Sequence, residues 1–306
     1  MEWLNQLIIG IMPVIPKYFI GRVAARYIAG STLDDAVKVT RSFNRSGAMA
    51  TIDLLGEHTE SKEQAVDAAR IYHQILDRIA ADKIKANISL KPTHLGLGVS
   101  YDLCEKLVGE IADHAAEDSN FLRIDMEDSK TTDDTIKLYF QMRARHESVG
   151  LVIQAYLRRT IDDIKHLKEA KANLRLCKGI YREPRAAAYQ NRAIIIRNYA
   201  LLLEELLEAG CYVGIATHCE ETVWHALRII HEMNLKPESY EFQMLLGVEE
   251  DLRQILIDQG HRLRVYVPFG EEWFAYSTRR LKENPTIAGH VLRDFLRRSS
   301  HPGNDD

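Results

Sequence analysis

Cysteine is scarce in this 306-residue chain. Its four cysteines, Cys104, Cys177, Cys211 and Cys219, stand far apart with no CxxC. That argues against both a disulfide framework and a zinc ribbon, and it leads us to expect a reducing, cytoplasmic setting. There is no HExxH and no histidine pair at strand-end spacing, so a metal hydrolase is disfavoured and no metal site is expected. A Gly-rich phosphate loop is missing too. The first apolar run leads into Asp53-Leu-Leu-Gly-Glu57, and Gly96-Leu-Gly98 is too fragmentary to count, which speaks against a doubly wound dinucleotide fold. The N-terminal apolar run, Leu7 to Ile15, is interrupted by Pro13 and bounded by Pro16 and Lys17; a bilayer span needs roughly 20 residues. No positive charge precedes that run and no small-residue cleavage site follows it, so a signal peptide is not expected. Charge of one sign is not in excess: the formal net charge is -4 and the pI near 6.3. Nucleic-acid binding by phosphate neutralisation needs a basic surplus, so the expected ligand is small.

What is present is a regular alternation. With 46% hydrophobic and 27% charged residues, the chain can bury a large core. From residue 48 onward, short apolar or β-branched runs alternate with longer amphipathic stretches, as in repeated βα units on a parallel sheet. The candidate strands are Ala48–Leu54, Ala86–Leu90, Phe121–Asp125, Leu151–Ala155, Leu174–Lys178, Tyr212–Ala216, Tyr240–Met244 and Arg264–Val267. Helix starts are marked by capping-box spacing at Ser61 with Gln64 and at Thr160 with Asp163. After Gln190, the residues Ile195, Tyr199, Leu202, Leu203 and Leu206 recur at helical spacing. The fold expected is α/β, a (β/α)8 TIM-type barrel with extra N-terminal helices. No linker or low-complexity segment divides the chain. A single domain over 1–306 is expected, with accessory helices over 1–46, the (β/α)8 barrel over 47–298 including a last helix Thr286–Arg298, and a frayed tail over 299–306.

A barrel's chemistry sits where its strands end at their carboxyl side. In order, those ends carry Asp53 and Glu57, Ser89 and Lys91, Arg123 and Asp125, Gln154, Arg175 and Lys178, Thr217 and His218, Gln243, and Tyr266. Each charge alone reads as an ion pair bracing loops. Together, Lys91, Arg123, Asp125, Arg175 and Lys178 would crowd one mouth, which is costly unless a ligand compensates. The surplus is cationic, so an anionic ligand is expected. The last segment adds Tyr276-Ser-Thr-Arg279-Arg280-Leu-Lys-Glu283, in which residues 276, 279, 280 and 283 share one helical face. Arg279 and Glu283 read equally as a solvated pair, but two adjacent guanidinium groups also suit a bidentate grip on a carboxylate, with a tyrosine beside an apolar ring.

The segment Val265-Tyr266-Val267-Pro268-Phe269-Gly270, followed by Trp273, Tyr276, Arg279-Arg280 and Glu283-Asn284, resembles the C-terminal signature of proline dehydrogenases. Asp53-Leu-Leu-Gly-Glu57, Arg123-Ile-Asp125-Met126-Glu127 and Arg175-Leu-Cys-Lys178-Gly179-Ile180-Tyr181 are similar to that family in the same order. The similarity runs from about residue 40 to residue 290. The resemblance implies FAD-dependent oxidation of L-proline to Δ1-pyrroline-5-carboxylate by hydride transfer to flavin N5, with electrons passed to a quinone. It implies that Arg279, Arg280 and Lys91 bind the proline carboxylate. Tyr266, Tyr276 and Leu245 would wall the ring, with Glu283 in the substrate set, and Glu57 would gate the site by pairing with Arg279. Met126, Gln154, Lys178, Gly179, Ile180, Thr217 and His218 would hold FAD, Arg175 would reach the N5 edge, and Asp125 would stand between substrate and cofactor. Ile180 departs from the family's common Lys-Gly-Ala-Tyr. His218 reads equally as a structural or a cofactor-binding residue.

Quinone use suggests peripheral contact with the inner face of a membrane, for which Leu7–Ile15 with Trp3 and Phe19 is the candidate; covering the base of the barrel is the other reading. The next oxidation, to glutamate, would fall to a separate pyrroline-5-carboxylate dehydrogenase. The competing enzyme class is a Schiff-base aldolase using Lys91 or Lys178. A catalytically idle barrel is the binding-module alternative.

Overall fold

The structure, a computed structural model, describes residues 26–273. Tyr276, Arg279, Arg280, Glu283, the helix expected at Thr286–Arg298, the tail and the Leu7–Ile15 run all lie outside the described residues.

Eight parallel strands close into a barrel in chain order. They are β1 (Met49–Leu54), β2 (Ala86–Leu90), β3 (Leu122–Ile124), β4 (Val149–Gln154), β5 (Asn173–Cys177), β6 (Tyr212–Ala216), β7 (Tyr240–Leu245) and β8 (Leu263–Phe269). Closure is made by β1 against β8, with Met49 to Leu54 in register with Arg264 to Phe269. Helix α1 (Leu33–Arg45) precedes β1, and α2 (Lys62–Asp82), α3 (Tyr101–Glu117), α4 (Thr132–Arg145), α5 (Thr160–Glu169), α6 (Arg192–Glu208), α7 (Glu220–Glu232) and α8 (Glu250–Asp258) each follow a strand. The sequence pattern locates all eight strands to within a few residues at each end. None of the described helices is long and apolar enough to cross a membrane.

Strand alternation divides the buried side chains into two populations. Ile52, Ile88, Leu90, Leu122, Ile124, Leu174, Leu176, Val213, Ile215, Phe242, Val265 and Val267 belong to the continuous apolar core that the helices cover. Burying such side chains contributes roughly 1.5–3 kcal/mol each. The alternate positions are polar and equally buried: Thr51, Asp53, Asn87, Ser89, Arg123, Asp125, Arg175, Glu241 and Gln243. They hydrogen-bond to one another, as in Thr51 Oγ1 to Asn87 Oδ1 at 2.6 Å. The barrel interior is therefore a polar network inside an apolar jacket.

The helix signals divide. Ser61 forms the expected capping box, its hydroxyl accepting from the Gln64 amide while the Gln64 side chain accepts from the Ser61 amide. In α6, Tyr199, Leu202, Leu203 and Leu206 are buried, and Ile195 packs against Tyr156, Leu157 and Ala188. The box expected at Thr160 and Asp163 does not form. Arg159 is the N-cap residue, with helical backbone angles and no side-chain cap bond. The Thr160 hydroxyl instead donates to the Gln154 carbonyl at 2.7 Å, and Asp163 is taken by Arg159 Nε at 2.9 Å. A threonine one residue inside the helix cannot reach the free donors of the first turn.

Candidate active site

Asp125, in the turn that follows β3, is the meeting point of four elements at the barrel mouth. Its Oδ1 accepts from Ser89 Oγ of β2 at 2.6 Å and from Arg175 Nη1 of β5 at 2.8 Å. Its Oδ2 accepts from the Tyr266 hydroxyl of β8 at 3.3 Å. The Arg175 guanidinium lies 5.2 Å from the centre of the Tyr266 ring. Beside this cluster, Lys91 Nζ donates to both carboxylate oxygens of the fully buried Asp53, at 2.9 and 3.0 Å. Burial works against the Lys91 charge, yet the Asp53 and Asp125 carboxylates outweigh it and raise the ammonium above its ordinary range.

The remaining candidates line the same end. Gln154 is buried and donates through Nε2 to the Met126 carbonyl at 3.2 Å. Its Oε1 is buried with no hydrogen-bond partner among the described residues. Gly179 has a φ of +106°, and a Cβ there would fall 2.1 Å from the Tyr156 ring; only glycine meets both conditions. This loop is fastened by Tyr156 N–H to the Lys178 carbonyl, while Ile180 is half-buried. Buried Thr217 accepts from the Cys219 amide at 3.1 Å. The Leu245 amide donates to His218 Nε2 at 2.7 Å, which ties the end of β6 to the end of β7 and leaves the ring proton on Nδ1. Glu57, half-buried in the loop after β1, brings a carboxylate oxygen within 4.8 Å of ligand-type atoms of His58 and Glu127. The Glu127 oxygens already accept from the amide and hydroxyl of Thr93.

Two expectations change. Arg123 does not join the mouth. Its guanidinium turns to the opposite end, donating to the Leu151 and Asn173 carbonyls and to Asn173 Oδ1 at 3.2, 2.8 and 2.6 Å. There it lines a cavity of about 580 Å³ shared with Asn173, Glu241 and Arg264. Burial, with Arg175 nearby, lowers its pKa to about 9. The cationic surplus also shrinks, because Lys91 is matched by Asp53 and Arg175 by Asp125. Lys91 is a poor Schiff-base nucleophile here, since its raised pKa is opposite to what amine attack requires. Sequence reasoning placed Ser89 and Gln243 at strand ends without assigning them a role and passed over Glu241, whose signal is a carboxylate two residues before Gln243 in the same short strand.

A family model described as proline dehydrogenase matches residues 36–293. The chain belongs to the proline dehydrogenase family. Among curated relatives, proline dehydrogenase 1 of Bacillus subtilis subsp. natto is 36% identical over 275 residues, covering 90% of this chain and 91% of that protein. The proline dehydrogenase of Deinococcus radiodurans is 32% identical over 280 residues, covering 90% of each chain. A solved structure of proline utilization A (PutA) from Bdellovibrio bacteriovorus, inactivated by N-propargylglycine, superposes with a TM-score of 0.80 at 27% identity. That match covers 86% of this chain and 32% of PutA, so this chain spans about a third of PutA's length. The barrel of this family member is the one that the strand alternation led us to expect.

Proposed function

We propose that this chain oxidises L-proline to Δ1-pyrroline-5-carboxylate with FAD as its cofactor and passes the electrons to a quinone. The observation that carries the reading is the family match over residues 36–293, together with the Asp125, Arg175 and Tyr266 cluster at the barrel mouth. The residues present fit the cofactor. The buried, unpartnered Gln154 Oε1 suits an N–H donor of the isoalloxazine edge, and the Gly179 turn keeps side-chain bulk out of the loop that would follow the ring. When bound, FAD supplies the two-electron acceptor that proline oxidation requires. Met126, Gln154, Lys178, Gly179, Ile180, Thr217 and His218 are the residues we assign to holding it.

What the protein does is orient and neutralise. Arg279 and Arg280 would grip the substrate carboxylate bidentately, and Lys91, with two of its protons given to Asp53, has a third to offer. Tyr266, Tyr276 and Leu245 would wall the apolar ring, Glu283 would complete the substrate set, and Glu57 would close the site against Arg279. Asp125 holds Arg175 and the Tyr266 hydroxyl in fixed relation, and Arg175 would stabilise negative charge that develops on the cofactor side. Quinone use brings the chain to a membrane surface, and Leu7–Ile15 is the segment we assign to that contact. The product would pass to a separate pyrroline-5-carboxylate dehydrogenase.

The carboxylate clamp is tested by Arg279→Met and Arg280→Met. Removing one partner of a desolvated charge pair should raise KM for proline on the order of 100-fold while the FAD content stays near that of the parent. Unchanged KM in both variants would remove the clamp.

A further inference from the structure

We infer that Gln243 is a positioning residue that sets the orientation of the Arg175 guanidinium. This inference rests on the role assigned to Arg175 above. The contacts that hold Arg175 start at the base of the barrel. There Glu241 of β7 accepts from Arg264 Nε of β8 at 2.7 Å and from Nη2 at 3.1 Å. Burial works against the Glu241 charge, and the adjacent Arg264 reverses that, bringing the carboxyl down to about 2. Glu241 is thus a fixed carboxylate, which can only accept.

That fixes the amide above it. Gln243 Nε2 donates to Glu241 Oε1 at 2.6 Å, so its Oε1 points the other way and accepts from Arg175 Nε at 2.6 Å. A side-chain amide otherwise has two nearly equivalent settings; here the carboxylate beneath selects one. Arg175 is then held at both ends, by Gln243 on Nε and by Asp125 and Ser89 on Nη1. Its Nη2 has no partner among the described residues and is the edge available to the cofactor side. Gly214 of β6 makes room for the device, since a Cβ there would fall 2.4 Å from Gln243 Nε2. The result is a hydrogen-bonded ladder, Arg264 to Glu241 to Gln243 to Arg175 to Asp125, that runs through the barrel interior from base to mouth. Gln243 is a neutral rung between two ion pairs. It passes on orientation and leaves the charge of Arg175 available at the mouth.

The tests compare Gln243→Leu, Gln243→Glu, Gly214→Ala and Arg175→Met in the FAD-loaded protein and in the flavin-free protein. Losing the acceptor on Nε, Gln243→Leu should lower kcat on the order of tenfold with a smaller change in KM, and should lower the flavin reduction potential in the same direction as Arg175→Met. In the flavin-free variant, the Arg175 Nε proton followed by nitrogen-resolved NMR should exchange faster with water than in the parent. Gly214→Ala should give the same changes in weaker form. Gln243→Glu carries the sharper signature. Protonated, the introduced carboxyl still donates to Glu241 and accepts from Arg175. Ionised, it loses the donor, faces the Glu241 carboxylate and draws the Arg175 charge away from the mouth. The ratio of variant to parent kcat should therefore fall as pH rises, a dependence the leucine variant lacks. If Arg175→Met is impaired while Gln243→Leu and Gln243→Glu keep the parent kcat, potential and pH profile, Gln243 only fills space and the inference fails alone. If Arg175→Met itself matches the parent in kcat and potential, the reading of Arg175 fails and takes this inference with it.

Discussion

At the scale of single residues, neighbours rather than residue type decide what each polar group can do. Lys91, just past the end of β2, and Arg123, within β3, are both buried cations, yet one is paired by Asp53 at the mouth and the other is turned to the base by carbonyls and Asn173. The cysteines make the same point in a form that is easily measured. Burial, with Glu127 nearby, pushes the Cys104 thiol up to about 12. For Cys219, at the start of α7, burial also raises the pKa, but the Thr222 amide, Arg192 and Lys178 outweigh it and bring the thiol down to about 7. The thiolate is the reactive form. Iodoacetamide under native conditions should therefore label Cys219 well before Cys104, with a rate that rises through about pH 7, as peptide mass spectrometry would read. Equal labelling of the two would show that the Thr222 and Arg192 contacts do not hold in solution.

At the scale of elements, the packing of α2 against α3 carries a pH-sensitive contact. His73 of α2 and His114 of α3 stack with ring centres 5.0 Å apart, and their Nδ1 atoms approach to 2.7 Å. One of those nitrogens must donate and the other accept, so a second proton breaks the contact. Partial burial and His114 both lower the His73 pKa, against the pull of Glu110 and Asp77. The folded chain then binds fewer protons than the unfolded one below the ordinary histidine pKa of about 6.5, so stability is present above that value and lost as pH falls through it. The urea midpoint should drop between about pH 7.5 and pH 5.5, and less so in His73→Gln; an equal drop in both proteins would place the sensitivity elsewhere. Elements of this kind were legible because helix and strand periods leave their mark on composition. Ala86–Leu90 and Tyr212–Ala216 were located to the residue, since both are bounded by turns and helices with clear signals. The direction in which an inward side chain turns was not legible. Period 2 says that Arg123, Arg175 and Glu241 face the interior, but whether each leans to base or mouth depends on partners up to 86 positions away, as Ser89 is from Arg175. Thr160 misled for the related reason that a cap depends on backbone angles, which spacing alone does not fix.

At the scale of the whole molecule, the closed barrel gathers side chains from all along the sequence into one mouth, and its apolar jacket keeps their charges from being screened. A net charge of -4 gives the chain no general affinity for anions, so the proposed grip on the substrate carboxylate rests on local groups, for which we propose Lys91, Arg279 and Arg280. The central claim is that this barrel binds FAD and uses it to oxidise L-proline. The most direct measurement is the visible spectrum of the purified protein during anaerobic titration with L-proline. The protein should be yellow as isolated, and proline should bleach it with release of Δ1-pyrroline-5-carboxylate, stoichiometric with the flavin, while D-proline should bleach it far more slowly. A protein that stays colourless after incubation with FAD, or a yellow one whose spectrum L-proline leaves unchanged, would contradict the account.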